Sequence, residues 1–141
     1  MRILLTLFAV LIAPIAAANP EPADAVKGYF QALDRQDFSR ALAYTEGAAK
    51  GRTSRMVEQL KSEAAANHAR VEVKVKRLDV KSAGVAEPGR GVPVPVAFHI
   101  DVVGHKFCFS KVARKLDGEA RFYLDPARPD RIVAIEGRLA D

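Results

Sequence analysis

The chain has 141 residues, 22 of them basic and 17 acidic, with a formal net charge of +5 at pH 7. That length suits one domain with a core of its own, and the single cysteine excludes an internal disulfide framework. The modest positive excess points to a solvated face or an anionic partner; it does not point to a nucleic-acid groove, because the aromatics do not interleave with the bases.

Met1-Arg2 is followed by an apolar run from Ile3 to Ile15, broken by Pro14, and then by Ala16-Ala17-Ala18. A positive head, a hydrophobic middle and a small-residue cleavage site make a secretory signal peptide. The expectation is cleavage after Ala18, export to the periplasm or beyond, and a mature single domain spanning residues 19–141. Retention as an anchor is the alternative. The run is shorter than the roughly 20 apolar residues of a spanning helix, so no transmembrane segment is expected after cleavage. No cysteine stands near the cleavage point to carry a lipid.

Pro22 suits the first turn of a helix, and Val26, Tyr29, Phe30 and Leu33 follow at i, i+3, i+4 and i+7. Gly28 on that helix allows close packing. Asp37 is placed to cap a second helix with Phe38, Ala41, Leu42 and Thr45 inward, and Gly47 to end it. Gly51 marks a break. Thr53 or Ser54 then caps a third helix, with Val57, Leu60 and Ala64 inward and Asn67 as its stop.

From Arg70 the period changes to two. Val71, Val73 and Val75 alternate with Glu72, Lys74 and Lys76. The alternation then slips by one, which predicts a bulge near Lys76-Arg77. Residues Ser82 to Gly91 form a loop. Val94, Val96, Phe98, Ile100 and Val102 make the next inward row, and Pro93 and Pro95 confine its start to an edge or entry position. Gly104-His105 is a turn, after which Phe107 and Phe109 begin a strand and bury Cys108 between them. Asp117-Gly118 is a two-residue hairpin signal. Phe122 and Leu124 follow, and Ile132 to Ile135 is the last strand.

Three helices followed by about five strands predict an α+β domain, with the helices packed on one face of a curved antiparallel sheet. The stretch from Ala25 to Leu42 (AVKGYFQALDRQDFSRAL) resembles the opening of the nuclear transport factor 2-like superfamily, the cystatin-like cone-shaped roll. There an aromatic-rich first helix ends in a short polar link before an Asp-started second helix. The layout from Val94 to Leu124 is similar to that of exported members. A third helix directly after the second departs from the many members that insert a short strand there.

The resemblance implies an apolar pocket at the open end of the cone, which members use for small hydrophobic ligands or for acid–base chemistry. The pocket candidates are Tyr29, Phe30, Phe98, Ile100, Phe107 and Phe109. A base in such a pocket would be His or Asp, with a Tyr as donor. His99 and Asp101 are the pair available, but they lie opposite the apolar row and are expected to face water. The first reading is therefore a non-enzymatic binding or accessory protein. An isomerase- or dehydratase-like enzyme and a homodimeric interaction module are the alternatives. Three separated histidines and one cysteine predict no metal site, and no cofactor is expected. Arg70, Lys74 and Lys76, with Lys111, Arg114, Lys115, Arg128 and Arg131, suggest a positive band for an anionic envelope surface or an acidic protein.

Overall fold

A computed structural model describes residues 21–137, so the signal peptide and the cleavage point expected from the sequence lie outside the described residues. In chain order the elements are α1 (Pro22–Asp34), α2 (Phe38–Ala43), α3 (Gly47–Ala66), β1 (Arg70–Val80), β2 (Val92–Lys106), β3 (Phe109–Leu124) and β4 (Ile132–Gly137). None of the described helices is long and apolar enough to cross a membrane.

Proline opens α1, as its fixed φ and missing N–H favour. The Asp37 carboxylate accepts the Arg40 N–H at 3.1 Å and caps α2. The break expected at Gly51 does not occur. Gly47 opens α3 instead of closing α2, and the helix runs through Gly51 and Thr53 to Asn67. Thr53 is not a cap because its side chain is buried and its hydroxyl meets Tyr29. Burying α3 against the sheet outweighs the propensity cost of one glycine, about 1 kcal/mol.

The sheet is antiparallel throughout, in the order β1-β2-β3-β4. It has four strands, where about five were expected, because Asp117-Gly118 does not turn. These two residues lie inside β3, paired with His99 and Phe98 of β2. An Asp-Gly hairpin turn requires positive φ, and neither residue adopts it. The 15 residues of β2 instead give β3 a continuous partner. The real turn also falls later than Gly104-His105. Those two residues pair with Lys111 and Ser110, and the chain reverses at Phe107-Cys108. Cys108 is therefore exposed, which overturns the expectation of a buried thiol. The bulge predicted near Lys76-Arg77 is present as a register shift between Val75 and Arg77.

Pro93 and Pro95 sit in a central strand without breaking it. Their carbonyls accept Gly84 N–H at 2.8 Å and Lys81 N–H at 2.9 Å, on the side that β1 has already left. In an antiparallel strand a residue's N–H and C=O point the same way. The missing proline donors therefore face a loop, not a ladder.

Helices and sheet are tied by hydrogen bonds from named side chains. Gln36, at φ +59, acts as a short strand beside the free edge of β1. Its amide donates to the Val73 carbonyl at 2.5 Å and accepts the Val73 N–H at 2.9 Å. The Asp34 carboxylate accepts the Val75 N–H at 2.8 Å. An edge covered in this way no longer templates pairing with another chain. At the other end, the Arg52 guanidinium of α3 donates to the carbonyls of Ile135 and Gly137 in β4. The α2–α3 link bonds Ile132 on both sides, through Tyr44 O and Glu46 N.

Candidate functional site

The helix-facing row of β2 is Val94, Val96, Phe98, Ile100 and Val102, and all five are buried. α1 lays Val26, Tyr29, Phe30 and Leu33 onto this row, so its 3.6-residue stripe meets the strand's two-residue stripe. At the centre, the rings of Tyr29, Phe30, Phe98 and Phe122 interlock. The Phe30 centroid lies 5.6 Å from Tyr29, 5.4 Å from Phe122 and 6.0 Å from Phe98. These spacings are those of close edge-on and tilted ring pairs.

The structure brings together four of the six pocket candidates, Tyr29, Phe30, Phe98 and Ile100, all 1–2% exposed. It separates the other two: Phe107 is 95% exposed and Phe109 is 74% exposed at the β2–β3 turn. The displaced turn is the reason. Placing the reversal at Phe107-Cys108 pushes both rings past the end of the helical layer.

Tyr29 is not a free donor. Its hydroxyl lies 2.9 Å from the Thr53 hydroxyl. Burial pushes its pKa up from 10.0 to about 12, and the Thr53 hydrogen bond and the nearby Arg52 charge oppose that shift only in part. The folded state thus favours the neutral phenol. This contribution to stability is complete below pH 10 and is lost as pH rises through about 12. The loss is on the order of 2–3 kcal/mol. Denaturant midpoints measured from pH 9 to pH 12 should fall more steeply for the native chain than for Tyr29→Phe; parallel curves would contradict this assignment.

His99 and Asp101 lie on the opposite face of β2, as the alternation predicts. Their contact is closer and drier than a solvated pair. His99 Nε2 is 3.0 Å from Asp101 Oδ1, and Asp101 is only 8% exposed. Asp101 stands in register between Lys74 and Lys115. His99 Nδ1 is 3.9 Å from Asp117, and Arg77 lies 3.9 Å from the same carboxylate.

A second polar chain crosses this outer face, and the sequence reading did not find it. Ser110 Oγ is 2.7 Å from His105 Nδ1, and His105 Nε2 is 3.0 Å from Glu72, which Arg70 also meets at 3.0 Å. The only signal was conditional. His105 and Ser110 oppose each other once the turn is placed at Phe107-Cys108. Hydroxyl, imidazole and carboxylate in a row resemble a nucleophile relay. Acyl transfer also needs oxyanion donors in a water-excluded site, whereas Phe109, Ser110 and Lys111 are exposed. The row ties three strands together.

The expected positive band is divided. Arg70 and Lys74 do share the outer face. Arg114 pairs with Glu63 of α3 at 3.0 Å, and Arg128 meets Glu46 at 2.5 Å. Toward β4, the loop preceding β2 covers the outer face. There Arg90 lies 5.8 Å over the buried Tyr123 ring and 3.4 Å from Glu136.

Comparison with known proteins adds the fold. No family model matches the sequence, and no curated protein matches it. One crystal structure is similar in shape: a putative polyketide cyclase from Xanthomonas campestris pv. campestris. Its TM-score is 0.52 at 14% identity, over 84% of this chain and 90% of that one. The likeness is one of fold. It supports an α+β architecture of three helices on a curved antiparallel sheet.

Proposed function

We propose that this chain is an exported, non-enzymatic binding or accessory protein of the nuclear transport factor 2-like kind. It engages a protein partner through the outer face of its sheet. The observation that carries this reading is the division of labour between the two faces. The inner face is occupied by interlocked rings, and the Tyr29 hydroxyl is already bonded to Thr53. The outer face carries rows of both charge signs, such as Lys74, Asp101 and Lys115, with Arg77, His99 and Asp117 beside them. Mixed rows of this kind are self-complementary, so a second copy is the first partner to test.

Light scattering on residues 19–141 should show a concentration-dependent rise in mass. Lys74→Ala combined with Arg77→Ala should abolish that rise without changing the melting temperature. A strict monomer, or an unaffected double variant, overturns the second-copy form of this reading.

The fold likeness to the Xanthomonas protein favours a second reading, an isomerase- or dehydratase-like enzyme. His99 would then be the base and Asp101 its orienting carboxylate. Saturable binding of an apolar aromatic probe that is lost in His99→Ala would support this reading, because the pair lies on the outer face of β2, away from the ring cluster. Absence of such binding leaves the binding protein.

A further inference from the structure

We propose that the β2–β3 hairpin tip is a lipid-insertion loop: Phe107 and Phe109 enter the interface of an anionic bilayer while Lys106 and Lys111 meet its phosphates. The tip presents two aromatic rings to water, Phe107 at 95% and Phe109 at 74% exposure, with Cys108 exposed between them. Phe107 also sits at φ +54. That backbone region favours glycine or asparagine, and a bulky residue there is an outlier with a local cost. The β2–β3 ladder that this turn closes offsets the cost, but the ring itself gains nothing from packing within the chain and stays open to an apolar medium.

Charge selects the occupant. From Val102 to Leu116 the sequence holds Lys106, Lys111, Arg114 and Lys115 and no carboxylate. Arg114 is engaged by Glu63, whereas Lys106 and Lys111 form no ion pair among the described residues. Lys106 pairs with Phe109, and Lys111 lies two rungs below it, opposite Gly104. Alternation along the strands puts Phe109, Lys106 and Lys111 on one face of the ribbon. Two rungs amount to roughly 7 Å. That separation sets the Lys111 ammonium at the level of the phosphates when the Phe109 ring is at the acyl boundary, and Lys106, level with Phe109, reaches them along its flexible stem. A second copy meeting tip to tip would bring like charges together. An acidic protein would satisfy the lysines but give two protruding rings no apolar medium.

The chain without its leader, residues 19–141, should sediment with phosphatidylcholine vesicles that contain phosphatidylglycerol, and roughly tenfold less with phosphatidylcholine alone. Phe107→Gly with Phe109→Ser should lower the partition by roughly tenfold. The glycine relieves the strained φ, so the melting temperature should hold or rise. As the chain's only cysteine, Cys108 can carry an environment-sensitive dye, whose emission should shift to the blue on anionic vesicles. Equal binding by the double variant, binding with no blue shift, or a preference for polyglutamate over vesicles would each overturn the proposal. Such a result leaves the self-association of the outer sheet face and its Lys74 and Arg77 variants untouched, so the two readings fail separately.

Discussion

Phe122→Ala should destabilise the protein by about 3–5 kcal/mol, the range for truncating a fully buried aromatic. Phe122 is 0% exposed, and its ring centroid lies 5.6 Å from Tyr29 and 5.4 Å from Phe30. It is the ring through which β3 meets α1. Truncation leaves a cavity bounded by those two rings and the Phe98 side of the cluster. Helix and sheet cannot close it, because α3 is fixed to β4 through Arg52 and the edge of β1 is fixed to Asp34 and Gln36. Denaturant unfolding should show a lower midpoint with an unchanged slope. Phe122→Leu should recover part of the loss. A cost below about 1 kcal/mol would mean the cluster collapses freely, and would reopen the interior as a ligand pocket.

Gly91→Ala should cost roughly 2–6 kcal/mol, from two causes. Gly91 has φ +110, outside the region any L-residue occupies comfortably, a strain of about 1–3 kcal/mol. Its Cβ would also run into the Leu124 carbonyl oxygen of β3, a backbone atom that cannot swing aside. Overpacking of that kind adds about 1–3 kcal/mol. The effect should reach the outer face, because Gly91 seats the loop that carries Arg90 over Tyr123. Thermal melts should show the stability loss, and tyrosine fluorescence should show Tyr123 becoming more solvated. A melt within a degree or two of the parent would rule out the close approach.

Two further readings bear on what such variants test. If the interior took up an apolar ligand, loss of Phe122 would change that uptake along with stability. If the outer face binds, Gly91→Ala should weaken association at temperatures where the core is intact. Comparing the two variants therefore separates the faces without a known ligand.

Much of the architecture was legible in the residues. The α1 stripe, the Asp37 cap, the Asn67 stop and the bulge beside Lys76 each rest on an interaction spanning a few positions. The facing of Phe98 and Ile100 against His99 and Asp101 follows from strand alternation alone. The errors fall where a local signal competed with long-range pairing. Asp117-Gly118 carries a strong turn signature, yet β2 offers it partners 18 and 20 residues back, His99 and Phe98, and the ladder prevails. Gly51 reads as a break, but α3 buries Thr53 and Val57 through it.

The candidate site was less visible for the same reason. His99 and Asp101 are two positions apart, so their contact could be anticipated. Glu72, His105 and Ser110 come from three strands, and Thr53 reaches Tyr29 across 24 positions. Phe107 and Phe109 looked like core residues because their alternation around Cys108 is that of a buried strand. Only the register of β2 on β3 moves them to the tip.

By itself, then, the chain determined the starts of its first two helices, its inward and outward rows and its α+β layering, because these depend on neighbours within one or two turns or on the pleat. The strand count, the place of the hairpin reversal, the exposure of Cys108 and the polar rows of the outer face were decided only in three dimensions. They depend on which distant backbone groups satisfy one another, and a ladder of many hydrogen bonds outweighs the preference of any two-residue turn.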